Sequence, residues 1–186
     1  MKNICRKLTW PIRMNNSIPL ILTVILLIYT PMAYAAPPNA EMCAFLAEFH
    51  GHTCPGSLMG LRLGLAAKEA LNAQGRVEAK TFIHACPVDG IQVATGATYG
   101  NRAITVEDRE EMRLILTDTK TSKQVEATLT QEAMERAKGF RELSGKSRTL
   151  KQGSPEQLAI KKEIDDILNW YRTVPDEKVV VIKVLK

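Results

Sequence analysis

The chain has 186 residues, 45% hydrophobic and 24% charged, with a formal net charge of +5. Lys2, Arg6, Lys7 and Arg13 supply four of its basic residues and no acidic residue accompanies them, leaving 21 basic against 20 acidic residues beyond that leader. The near-neutral balance gives no support to nucleic-acid binding, and the remaining length of about 150 residues suits one domain with its own core.

Residues 1–35 read as a signal peptide. The basic leader is followed by an apolar stretch from Ile18 to Tyr29, short for a bilayer span of roughly 20 residues. Ala33-Tyr34-Ala35 places small residues at −3 and −1, so cleavage falls before Ala36. The expected product is exported and periplasmic. Uncleaved, the same segment would be the chain's one membrane contact, an N-terminal anchor.

Residues 36–44 form a spacer and the start of a helix running Ala40–Phe49, with Cys43, Leu46 and Ala47 on one face. A longer helix is predicted from Pro55 to about Asn72, with Leu58, Leu61, Leu65 and Ala66 as its buried stripe and Gly75 as its stop. Val77–Ala85 reads as a strand, Pro87 to about Ala97 as a helix, and the glycine-rich Thr95–Asn101 as a turn leading to a strand at Ala103–Val106. Strands follow at Met112–Thr117 and Gln124–Leu129, then helices at Gln131–Leu143 and Pro155–Tyr171, the last with Ser154 as N-cap. A flexible loop at Gly145–Gly153 and a terminal β-rich run at Lys178–Leu185 complete the pattern, which is that of an α+β protein with a mixed sheet and helices packed on it.

All three histidines lie between positions 50 and 84, in two runs that each contain a cysteine: His50-Gly51-His52-Thr53-Cys54-Pro55-Gly56 and His84-Ala85-Cys86-Pro87-Val88-Asp89. Imidazole nitrogen and thiolate sulfur are the ligands of borderline-soft metals. Each cysteine precedes a proline that opens a helix, which places both thiols at N-caps, where the helix dipole favours a thiolate. His50 and His52 share the loop of Cys54, and Asp89 stands at the third position of the second helix, able to cap it or to offer a carboxylate. His84 could equally be a half-buried strand residue, and Cys43 fits core packing. Cys43, Cys54 and Cys86 make an odd number of thiols in an exported protein, which fits a metal site better than a disulfide scaffold.

These runs, with Gly60 and Arg62, Cys86-Pro87-Val88-Asp89-Gly90-Ile91-Gln92 and Thr95-Gly96-Ala97-Thr98-Tyr99-Gly100-Asn101, resemble the FmdE family, named for one of the subunits of formylmethanofuran dehydrogenase. The resemblance covers roughly residues 45–130, within a domain taken to span 45–186. It implies an α+β fold like the catalytic domain of glyceraldehyde-3-phosphate dehydrogenase and a metal, usually zinc, at the His/Cys loop. By position it implies His52, Cys54 and Cys86 as ligands, with His50 and Asp89 as further candidates. No cysteine follows Cys86, so the cysteine-rich zinc ribbon of longer members is not expected, and an export signal argues against formylmethanofuran chemistry itself. The expected function is therefore an exported zinc-binding protein, compatible with an open coordination position for a small ligand and with a homo-oligomer. The residues leave turnover open. Thiol–disulfide exchange between Cys54 and Cys86, or a non-catalytic interaction subunit, are the alternatives.

Overall fold

A computed structural model describes residues 35–185, so the leader through Tyr34, with Cys5, lies outside the described residues. The elements run α1 (Ala40–His50), α2 (Pro55–Leu71), β1 (Val77–Thr81), α3 (Pro87–Thr95), β2 (Ile104–Val106), β3 (Arg113–Asp118), β4 (Gln124–Leu129), α4 (Gln131–Arg136), α5 (Phe140–Thr149), α6 (Pro155–Thr173), a 3-10 turn (Asp176–Lys178) and β5 (Val180–Val184). The five strands form one mixed sheet in the order β2-β1-β3-β4-β5. β1 and β2 are parallel and joined through α3, the crossover that parallel strands require, whereas the other pairs are antiparallel. The expected α+β class with a mixed sheet is the class observed.

Alternation along the strands decides which face is covered. Leu114 and Leu116 on β3, with Val125, Ala127 and Leu129 on β4, point into the core while their neighbours stay half-exposed. Helix α2 lies on that face. Leu58, Leu61, Leu63, Ala66 and Ala67 are all buried, and Leu65 is not among them. The single stripe expected from the sequence is thus a helix buried nearly all round, since the sheet, α3 and α6 enclose it.

One charge is carried into this core. The Arg62 side chain is fully buried, with Nε donating to Asp176 Oδ1 at 2.7 Å, Nη1 to the Tyr171 carbonyl at 2.8 Å and Nη2 to the Val174 carbonyl at 2.7 Å. It therefore caps the C-terminal end of α6 and neutralises the buried Asp176, tying the last helix to the central one.

Several expected boundaries move, for local reasons. β1 stops at Thr81 because its neighbours end: the carbonyls of Thr81 and Phe82 accept from Glu107, Arg109 and Glu111 in the loop between β2 and β3. The helix expected over Gln131–Leu143 is two helices, divided at Gly139, whose φ of 78° is in the left-handed region that only glycine adopts without strain. Of the loop expected over Gly145–Gly153, the first five residues are instead the second half of α5, and 150–153 form the connection to α6. The segment is tied down by Gln157, which donates to the Ser147 carbonyl and accepts from the Gly153 amide. Asn72, at φ 43°, ends α2 in place of Gly75.

Candidate metal centre

Two local devices bring the donors together. Helix α1 ends at His50, and Gly51 at φ 81° reverses the chain so that Cys54, four residues on, begins α2. As N-cap, Cys54 receives the Ser57 amide on its Sγ at 3.4 Å, while the Ser57 hydroxyl lies 3.4 Å from the Cys54 amide, a reciprocal capping box. His50 Nε2 sits 3.7 Å from the same sulfur.

The second device is the crossing of α2 over α3. Gly56, Gly60 and Gly64 recur every four residues and so fall on one face of α2. A methyl group at Gly60 would overlap the backbone of Pro87, one at Gly64 would lie 2.5 Å from the Ala94 Cβ, and one at Gly90 would overlap the Ser57 carbonyl. At Gly56 it would meet the Cys86 Cβ at 3.0 Å. The glycines let the start of α3 lie directly on α2, and this close approach carries Cys86 to Cys54. The every-fourth-residue glycine stripe was the sequence signal for the contact, and motif reading alone passes over it.

The outcome is a trio. His50, Cys54 and Cys86 place one donor atom each within 4.8 Å of one another, a set that can hold a metal ion. All three described cysteines are free thiols. Cys86 departs from the helix-cap geometry expected for it: its backbone is already helical at φ −41°, ψ −35°, and its side chain makes no capping hydrogen bond. Its sulfur is left for Cys54.

The remaining candidates fall around the trio. Asp89 Oδ2 holds His50 Nδ1 at 2.6 Å, and its other oxygen accepts from Gln92 Nε2 at 3.2 Å. With both oxygens engaged, Asp89 orients the imidazole and leaves Nε2 as the free donor. Gln92 Oε1 in turn accepts from the Tyr99 amide, so the Thr95–Asn101 turn is wired to His50 through Gln92 and Asp89. His52 lies outside the trio: it is exposed, and its ring packs at 4.5 Å, centroid to centroid, against His50. His84 is exposed beyond the end of β1, and Cys43 is half-buried on α1.

The electrostatics differ between the two thiols. Burial disfavours a thiolate at Cys54, but the hydroxyl and amide of Ser57, the Cys86 thiol and the His50 ring outweigh it and hold the Cys54 pKa below the ordinary thiol value. At Cys86 burial and the charge on Cys54 act together and push the pKa up. The first proton therefore leaves Cys54. His50 is raised: burial opposes the imidazolium, and the bonds to Asp89 and Cys54 overcome it.

An α+β domain carrying an imidazole at the end of one helix and two thiols at the starts of two crossed helices defines a class of candidate metal-binding proteins. Residues 49–181 match the family model described as FmdE, molybdenum formylmethanofuran dehydrogenase operon, and the chain belongs to that family. A probable S-adenosyl-L-methionine-binding protein of Archaeoglobus fulgidus is 29% identical over 157 residues, which cover 77% of this chain and 43% of that protein. The chain thus spans less than half the length of that curated relative. The crystal structure of an FmdE-like protein of the tungsten formylmethanofuran dehydrogenase type from Syntrophus aciditrophicus superposes with a TM-score of 0.53 at 23% identity, over 78% of this chain and 71% of that one. That likeness is one of fold.

Proposed function

We propose that the protein binds one zinc ion through His50 Nε2, Cys54 Sγ and Cys86 Sγ, with the fourth position open to a small ligand. The observation that carries this reading is the convergence of the three donor atoms within 4.8 Å. A tetrahedral zinc with bonds of about 2.0–2.3 Å keeps its ligands roughly 3.3–3.8 Å apart, so the trio has to close by no more than about 1.5 Å. His50 and Cys54 already stand at 3.7 Å. Nitrogen and sulfur donors with an oriented imidazole are also the donor chemistry zinc prefers.

The chain's own residues supply the rest of the arrangement. Asp89 fixes the His50 tautomer with the proton on Nδ1, Ser57 supports a thiolate on Cys54, and the α2–α3 crossing sets the distance to Cys86. When bound, the metal supplies Lewis acidity to a ligand entering the fourth position. The leader read from residues 1–35 adds an exported, periplasmic location to the proposal.

Elemental analysis of purified protein, with thiol titration before and after chelation, tests it. The expected result is one zinc per chain, with Cys54 and Cys86 unreactive until the metal is removed. The proximity of two free thiols with oppositely shifted pKa values favours one rival, a dithiol–disulfide pair. Metal-free protein with a reversible Cys54–Cys86 disulfide would establish that rival. The archaeal relative's name makes S-adenosyl-L-methionine a ligand for the same titration. Stoichiometric binding that survives chelation would replace the metal site with a nucleoside site. For the location, a new N-terminus at Ala36 is expected, and a retained Met1 would contradict it.

A further inference from the structure

Cys54 is buried and Cys86 half-buried. Cys54 and Cys86 line a groove of about 540 Å³, within the roughly 300–1,000 Å³ typical of small-molecule sites. Its body is apolar and thioether-rich, with Met59, Met112, Met134, Ile83, Leu129 and Phe140 in its walls. Methionine walls adapt to the shape of an apolar guest without demanding one outline.

Helix α5 brings a different chemistry to the groove. Arg141, Ser144 and Arg148 all line it, and their spacing of three and four residues puts them on one stripe of the helix. Both arginines are exposed, and among the described residues neither is paired with a carboxylate. Lys146, on another face of α5, is the residue of that helix that pairs, with Glu156. Two unpaired guanidiniums beside a largely apolar wall attract an anion that brings an apolar body with it, since guanidinium matches the planar carboxylate by paired hydrogen bonds.

We propose that this groove binds an organic carboxylate with an alkyl or aryl body, its carboxylate on Arg141 and Arg148 and its apolar portion along the methionine wall toward Cys54 and Cys86. The proposal deepens the metal-site reading and rests on it in one respect: the ligand's apolar body lies in the groove that Cys54 and Cys86 line, beside the position assigned to the metal. The Ser144 hydroxyl adds a hydrogen-bonding group between the arginines.

Matched pairs of aryl and alkyl carboxylates and their primary amides, 4-phenylbutyrate with 4-phenylbutyramide among them, provide the test. Dissociation constants for the full exported protein are measured by ligand-observed NMR in zinc-loaded and chelated samples. The acids are expected to bind about tenfold or more tightly than their amides, as charge-assisted bonds to arginine require. In the Arg141→Ala, Arg148→Ala double variant that preference disappears, while zinc content stays at the wild-type value. An Arg141→Lys, Arg148→Lys variant, which keeps the charge, retains part of the preference and controls for folding. Equal binding of acid and amide by the wild type, or a preference that survives both alanine substitutions, would overturn the proposal. Failure of the metal reading is seen separately: a carboxylate preference in protein that takes up no zinc leaves the groove assignment standing and removes only the role of the metal.

Discussion

Replacing Asp89 by asparagine removes one negative charge from behind His50 and keeps the shape of the side chain. The wild-type contact is a 2.6 Å bond between His50 Nδ1 and Asp89 Oδ2, with the two side chains 10% and 34% exposed. Loss of such a supporting partner lowers metal affinity by about 10–100-fold. The amide oxygen of asparagine still accepts from Nδ1, as a neutral acceptor about half as strong, and the carboxylate is partly solvated, so the expectation lies at the lower end, about tenfold or roughly 1.4 kcal/mol. Alanine, which leaves Nδ1 without a partner, belongs nearer the upper end. The assay is competition with a chromophoric zinc chelator across pH. Zinc and a proton compete for His50 Nε2, and because the Asp89 bond helps raise the His50 pKa, competition in the wild type begins at higher pH. Removing the charge lowers that pKa, so the wild-type advantage is greatest above the raised His50 pKa and shrinks as pH falls through it. Unchanged affinity, or a ratio that does not vary with pH, would refute the role given to Asp89. A loss beyond about 1,000-fold, well outside the range for a supporting residue, would make Asp89 itself a ligand.

Two further substitutions test how the fold presents the site. Asp176→Ala leaves the fully buried Arg62 guanidinium without its counter-charge, at a cost of about 3–5 kcal/mol. At about 2–4 °C per kcal/mol for a domain of this size, the melting temperature should fall by roughly 6–20 °C. Pairing it with Arg62→Met should recover only part of that loss, because the Tyr171 and Val174 carbonyls then lose their donor; a melting point within about 2 °C of wild type for Asp176→Ala would contradict the assignment. Gly60→Ala forces a methyl group into the Pro87 backbone, an overpacking strain of about 1–3 kcal/mol relieved by moving α3 away. Because Cys86 immediately precedes Pro87, zinc content should fall along with the melting temperature, and a stable variant with full zinc content would show that the helix crossing does not set the thiol spacing.

Much of this arrangement can be read from the chain, in an instructive pattern. The helices beginning at Pro55 and Pro87 are legible because a proline at the first helical position follows a residue that can cap or turn. Their side-by-side packing is signalled only by the stripe of Gly56, Gly60 and Gly64, since periodicity reports which face is apolar and says nothing of which neighbour covers it. For the same reason α2 looks amphipathic in isolation and is buried nearly all round. The family resemblance, taken by position, favours His52, which shares the glycine-flanked loop of Cys54. The structure instead brings in His50, because the chain there is a helix end followed by a left-handed glycine, and the reversal at Gly51 turns the last helical residue back toward the next N-cap. Arg62, whose role the sequence leaves unassigned, is explained only by a partner 114 positions later, Asp176. The groove facing Cys54 and Cys86 is equally non-local, since Arg141 and Arg148 reach it from a helix whose continuity through Gly145 runs against local propensity.

X-ray absorption at the zinc edge reads the ligand set itself. Two sulfur ligands are expected at about 2.3 Å, with one imidazole nitrogen at about 2.0–2.1 Å and one further light-atom ligand. The imidazole signal should vanish in His50→Ala and persist in His52→Ala. A spectrum with two imidazoles, one that loses its imidazole with His52 in place of His50, or a protein that takes up no zinc would contradict the assignment of His50, Cys54 and Cys86.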